Sequence, residues 1–171
     1  MTKDKKPIQD FNPNKNIWDK LKQTDPRFTK RVNKGFGEIT TIDPMWQIGK
    51  MTETFGPIGK GWSYDVEYKY TELLVFAEVK IVWTDKDDVW YKFGPISSVQ
   101  KLWRKTGALD DEAPKKAFTD ALTKAFSHLG LSADVFLGLF DNSKYIEKVK
   151  EDLGISNVAK IREVKPNKVG S

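Results

Sequence analysis

The sequence predicts an α+β fold, a three-stranded antiparallel meander packed by a long helix in a β-β-β-α core with flanking helices. Three observations lead there. Trp62, Tyr64, Val66, Tyr68 and Tyr70 alternate with Ser63, Asp65, Glu67 and Lys69, the period of two that marks a strand with one buried face. Leu73–Trp83 and Val89–Phe93 follow as β-branched and aromatic runs separated by short turns, so the three strands pair as a meander. Beyond Asp110, the apolar residues Phe118, Leu122, Ala125, Phe126 and Leu129 recur at helical spacing, with Lys116, Thr119, Asp120, Thr123 and Lys124 mostly off that stripe.

Taken in chain order, residues 1–15 are polar, basic and broken by Pro7 and Pro13, and are expected to be a loose tail. A short helix is expected over Asn16–Lys22. A second should open where Asp25 caps and Pro26 takes the first helical position, running through Arg31. Asn33, Lys34, Gly35 and Gly37 make a basic loop before a short β-rich run, Ile39–Ile42. Asp43-Pro44 repeats the cap-then-proline signal and opens a helix that stops at Gly56. Gly94–Leu109 has no clean period and reads as a loop. Asp110 or Asp111 should cap the long helix, which Gly130 ends. Asp134–Phe140 and Lys144–Leu153 read as two shorter helices, the second closed by Gly154. The chain is thus expected to hold one domain, 16–154, with a second basic tail over 155–171.

Composition removes many activities. The absence of cysteine excludes disulfides, zinc knuckles, iron–sulfur clusters and thiol nucleophiles, and a single histidine excludes a histidine-rich metal centre. There is no apolar run of membrane-spanning length and no leader-like apolar segment, so a cytoplasmic location is expected. Charge is uneven: residues 1–36 carry ten Lys/Arg against four Asp/Glu, residues 37–154 fifteen against nineteen, and residues 155–171 four against one. The basic ends are either solubilising tails or a handle for a polyanion such as nucleic acid.

Candidate chemistry is sparse. Gly56-Pro57-Ile58-Gly59-Lys60-Gly61 has the wrong spacing for a phosphate-binding loop and follows a helix instead of a strand, so no ATP hydrolysis and no cofactor are expected. Asp85, Asp87 and Asp88 could hold magnesium in a nuclease, but carboxylates at a hairpin tip are ordinarily solvated. His128 has no visible nucleophile to serve. Six Trp, five Tyr and ten Phe include mostly core rings, whereas Trp103, beside Lys101, Arg104 and Lys105, is an aromatic in a basic setting that suits either a stacked base or a subunit interface.

Two blocks carry a resemblance. Met51-Thr52-Glu53-Thr54-Phe55-Gly56 with Gly61-Trp62-Ser63 looks like a helix, Phe-Gly, turn, Gly-Trp, strand junction. Lys115–Gly130 joins a basic turn and Ala to Thr-Asp, Leu, a basic position, Ala and an apolar residue ending in Gly. Over about residues 26–141 the chain resembles the Rad-fifty-two superfamily of single-strand annealing proteins, and its length resembles the phage and prophage recombinases of the Sak type. The resemblance implies ATP-independent binding of single-stranded DNA and annealing of complementary strands in recombination and repair. It further implies a homo-oligomeric ring or helical filament, a phage or host exonuclease or single-strand-binding protein as partner, and, if phage-encoded, the bacterial host cytoplasm as location. Arg31 falls at the family's inner-groove arginine and Lys124 at the second member of the long helix's basic pair. Thr123 replaces the first member, Ser127 a basic residue one turn on, and Thr41 a tyrosine of the human member. Lys34, Lys116, Arg104 and Lys105 are the cations expected to compensate. The rival readings are a passive single-strand-binding protein, a magnesium-dependent nuclease built on Asp85–Asp88, and a module whose tails bind an acidic partner.

Overall fold

A computed structural model describes residues 12–33, 35, 37–84 and 89–155. The tails expected at 1–15 and 155–171 lie outside these residues, apart from 12–15 and 155, as do Lys34 and the turn Asp85–Asp88. Among the described residues five α-helices and five strands follow one another: α1 (Asn16–Leu21), β1 (Thr29–Asn33), β2 (Glu38–Ile42), α2 (Pro44–Phe55), β3 (Trp62–Tyr70), β4 (Leu74–Thr84), β5 (Trp90–Lys101), α3 (Ala113–His128), α4 (Ala133–Phe136) and α5 (Ser143–Asp152). The fold is α+β. Strands β3, β4 and β5 form the antiparallel meander in that order, and β1 and β2 form a separate two-stranded antiparallel hairpin.

The long helix reaches the sheet closely because Ala113, Ala117, Ala121 and Ala125 line one face at four-residue spacing and are all buried. They lie over β4, whose Val75, Ala77, Val79 and Ile81 are fully buried on the facing side. Leu122 and Phe126 flank the alanines, and the Phe126 ring meets the buried Trp62 edge-on at 5.6 Å. Trp62 is in turn held by α2, where its indole N–H donates to Thr52 Oγ1 at 3.3 Å.

Four expectations are corrected. The helix expected over Pro26–Arg31 is a single 3-10 turn, Pro26–Phe28, followed by strand β1. Asp25 does cap it, accepting from Arg27 N at 2.9 Å, but Thr29–Asn33 finds strand partners in Ile42–Glu38, and that pairing overrides one turn of helix signal. The loop expected from Gly94 is mostly strand. Strand β5 runs through to Lys101 because Gly94 and Pro95 together sit opposite Lys80 as a bulge, which absorbs the missing proline N–H. Gly94 has φ 112°, and a Cβ there would lie 2.7 Å from the Val79 carbonyl oxygen. Neither Asp110 nor Asp111 caps the long helix, whose N-cap is Glu112. Finally, the helix expected over Asp134–Phe140 is split at Gly138 (φ 74°) into α4 and a 3-10 turn, Leu139–Asp141.

The aromatic face of β3 is buried only at one end. Because α3 lies over β4 and β5, Trp62 is covered and Tyr64 half-covered by Phe118, whereas Val66, Tyr68 and Tyr70 are exposed.

The two ends of the described chain are joined by one buried carboxylate. Asp134 accepts from Thr24 N (2.8 Å), Thr24 Oγ1 (2.6 Å), Val135 N (2.8 Å) and Tyr145 Oη (3.0 Å). Burial and the neighbouring carboxylate hold the Tyr145 phenol protonated well above its ordinary range, so it remains a donor. Among the described residues no helix is long and apolar enough to cross a membrane.

Candidate nucleic-acid interface

An open groove of about 850 Å³ runs between strand β2 and the flank of α3, closed at one end by the segment around α4. One side is formed by β2 and the segment around α4, where Ile39, Ile42, Phe136 and Phe140 lie among Glu38, Thr40, Thr41 and Asp141; the other carries Lys115, Lys116, Thr119, Asp120 and Thr123 from the long helix. The hairpin register puts Arg31 opposite Thr40, one strand behind the wall.

Arg31 and Lys124 do not line the groove themselves; each is held by residues that do. Arg31 donates through Nη2 to the Phe140 carbonyl at 3.0 Å and pairs through Nη1 with Glu38 at 3.5 Å. Lys124 pairs with Asp120, one turn back on α3, at 2.7 Å. Both cationic side chains are about half exposed, so neither is buried against its carboxylate. They flank the same groove from opposite sides.

The hydroxyls of Thr123, Ser127 and Thr41 are committed within the protein. Thr123 Oγ1 donates to Gln47 Oε1 at 2.9 Å, Ser127 Oγ to the Lys124 carbonyl at 2.7 Å, and Thr41 Oγ1 to the Lys30 carbonyl at 3.0 Å. Thr123, expected to face a phosphate, therefore shapes the wall and turns its donor inward, toward a buried glutamine whose Nε2 has no partner among the described residues.

Arg104 and Lys105 lie elsewhere, beside a second depression of about 530 Å³ at the end of β5. Gln100 and Lys116 line both depressions and so join them. Asp110 organises this region: it pairs with Lys116 at 2.7 Å and with Arg104 at 3.2 Å, and Arg104 also reaches Asp111 at 3.0 Å. The Lys116 hydrogen bond first, and that of Arg104 after it, hold the Asp110 carboxyl below the usual carboxylate range. Lys105 and Lys101 make no ion pair with any described residue.

Of the seven expected site residues, then, Lys116 and Thr123 line one groove, Arg31 and Lys124 are held at its margins by lining residues, Arg104 and Lys105 join Lys116 at the other, and Lys34 lies outside the described residues. Lys115 belongs to the first wall although only its neighbour Lys116 was expected there. Phe136 and Phe140 were missed because nothing in the local pattern separates a groove-lining ring from a core ring. Among the described residues no cluster of three or more His, Asp or Glu is placed to hold a metal ion. Asp85–Asp88 lies outside them. The chain matches no known family model and no curated protein.

Proposed function

We propose that this chain binds the backbone of single-stranded DNA along the groove between the β1–β2 hairpin and α3, and, as a homo-oligomer, promotes annealing of complementary strands without ATP. The observation that carries the reading is the groove itself, with Arg31 on one side and Lys115, Lys116 and Lys124 on the other. Arg31 and Lys124 are paired with carboxylates, but at half-exposed surface positions such pairs are worth only about 0–1 kcal/mol, so a phosphate can replace either carboxylate at little cost. The likeness of Lys115–Gly130 to the long-helix signature of Rad-fifty-two-type proteins points the same way and brings phage or prophage recombination as the setting, with an exonuclease or single-strand-binding protein as partner.

The test is a salt series of single-strand binding with Arg31→Ala and Lys124→Ala. Each lost phosphate contact lowers the salt slope by about 0.7. Parent-like binding by both variants assigns the DNA elsewhere. Complementary oligonucleotides should pair faster with the protein present than without it; protection without acceleration identifies a passive binder, and cleavage of labelled DNA in magnesium identifies a nuclease.

A further inference from the structure

The second depression contains an aromatic ring that the fold holds in place and leaves half uncovered. Trp103 lies two residues beyond the end of β5 and pairs with Leu109 across a short hairpin, in which Arg104 N donates to the Ala108 carbonyl at 2.8 Å and Gly107 turns at φ 80°. The base of this hairpin is fixed by Asp110 N to the Leu102 carbonyl at 2.7 Å and by Leu102 N to the Leu73 carbonyl at 2.9 Å. The indole N–H donates to the Glu72 carbonyl at 3.0 Å, so the one polar group of the side chain is satisfied while the residue stays 48% exposed. What Trp103 offers to solvent is therefore ring surface in a set orientation.

Its surroundings are cationic. Lys101 and Lys105 have no ion-pair partner among the described residues, and Arg104 and Lys116 share Asp110. A bare apolar docking site for protein would not need this charge; a flat ring among ammonium groups fits an unstacked base on a phosphate chain. The position fits as well, because Lys116 and Gln100 line both depressions, and a strand leaving the first groove past Lys116 arrives at Trp103.

We infer that Trp103 is a stacking platform for one nucleobase of the bound single strand, with Lys101 and Lys105 taking the adjacent phosphates. This rests on the single-strand binding proposed above and adds a contact to the base where that groove contacts only the backbone.

The experiment compares the full chain with Trp103→Ala and Trp103→Phe for binding to oligo(dT), oligo(rU) and an abasic strand of equal length, together with sedimentation of each variant. Trp103→Ala should weaken oligo(dT) at least about fivefold, and oligo(rU) by a similar factor if the parent binds it, with abasic binding unchanged. Trp103→Phe should keep oligo(dT) affinity within about threefold while losing the part of the fluorescence quench that comes from this indole. Unchanged oligo(dT) binding by Trp103→Ala overturns the platform and leaves the groove standing. Equal weakening of oligo(dT) and abasic strands, or a changed assembly size, makes Trp103 a structural or subunit contact and also overturns it. A parent that binds none of the strands removes both readings. If Trp103→Ala does not fold, an undiminished quench in Trp103→Phe is decisive against the platform.

Discussion

Asp110 governs much of the surface charge beside the second depression, because it holds both Lys116 and Arg104. Its depressed pKa means that it stays ionised between about pH 5 and 8, so mild acidification does not release these cations. A carboxylate with a lowered folded pKa contributes to stability above its unfolded value, and that contribution is lost only as pH falls through the folded pKa, below the ordinary carboxylate range. Removing the charge by mutation does what pH cannot. Asp110→Asn should raise single-strand affinity about fivefold at low salt, measured by fluorescence anisotropy, and the gain should shrink as salt rises. An affinity equal to the parent's would show that the strand does not approach Lys116 or Arg104. Each basic residue was legible in the sequence; its pairing partner was not, since Asp110 and Lys116 meet across a helix start that was expected one or two residues earlier.

At the level of elements, the meander and the long helix could be read in advance because their signals are repetitive: period two over nine residues in β3, and a sustained apolar stripe in α3. The hairpin β1–β2 was legible only in its second strand, expected over Ile39–Ile42. Its strands are five residues long, and the first begins directly after a proline-led turn that imitates a helix start. The groove depends on that hairpin, so the candidate site was legible as a list of cations and a β-rich run, while the strand that pairs with that run and carries Arg31 was not. The extension of β5 was hidden for a related reason, since Gly94-Pro95 looks like the end of a strand and is in fact a bulge within one. The contact between the N-terminal segment and α4 also lacks a local signature, because Thr24 and Asp134 are 110 residues apart. Asp134→Ala strands the Thr24 and Tyr145 donors in a buried setting and should cost about 3 kcal/mol, seen as a melting temperature lower by roughly 10 °C. A melting temperature within a degree or two of the parent's would show that the two ends are not held together there.

For the molecule as a whole, β3 is an edge of the three-stranded sheet, and Val66, Tyr68 and Tyr70 project from it beyond the reach of α3. An edge nine residues long with an apolar side invites another strand. If the protein assembles through it, Tyr68→Glu combined with Tyr70→Glu should reduce the mass seen by light scattering to that of one chain and slow annealing, with the melting transition retained. A parent already monomeric at working concentration removes assembly from the reading. The hairpin has a different consequence. Two short strands that pair only with each other make a ribbon of marginal stability on its own. The Arg31 guanidinium latches this ribbon to the Phe140 carbonyl. If Arg31 clasps a phosphate as proposed, the donor that does so is the one that latches the ribbon to the Phe140 carbonyl, so engaging a strand and loosening the ribbon would be a single event.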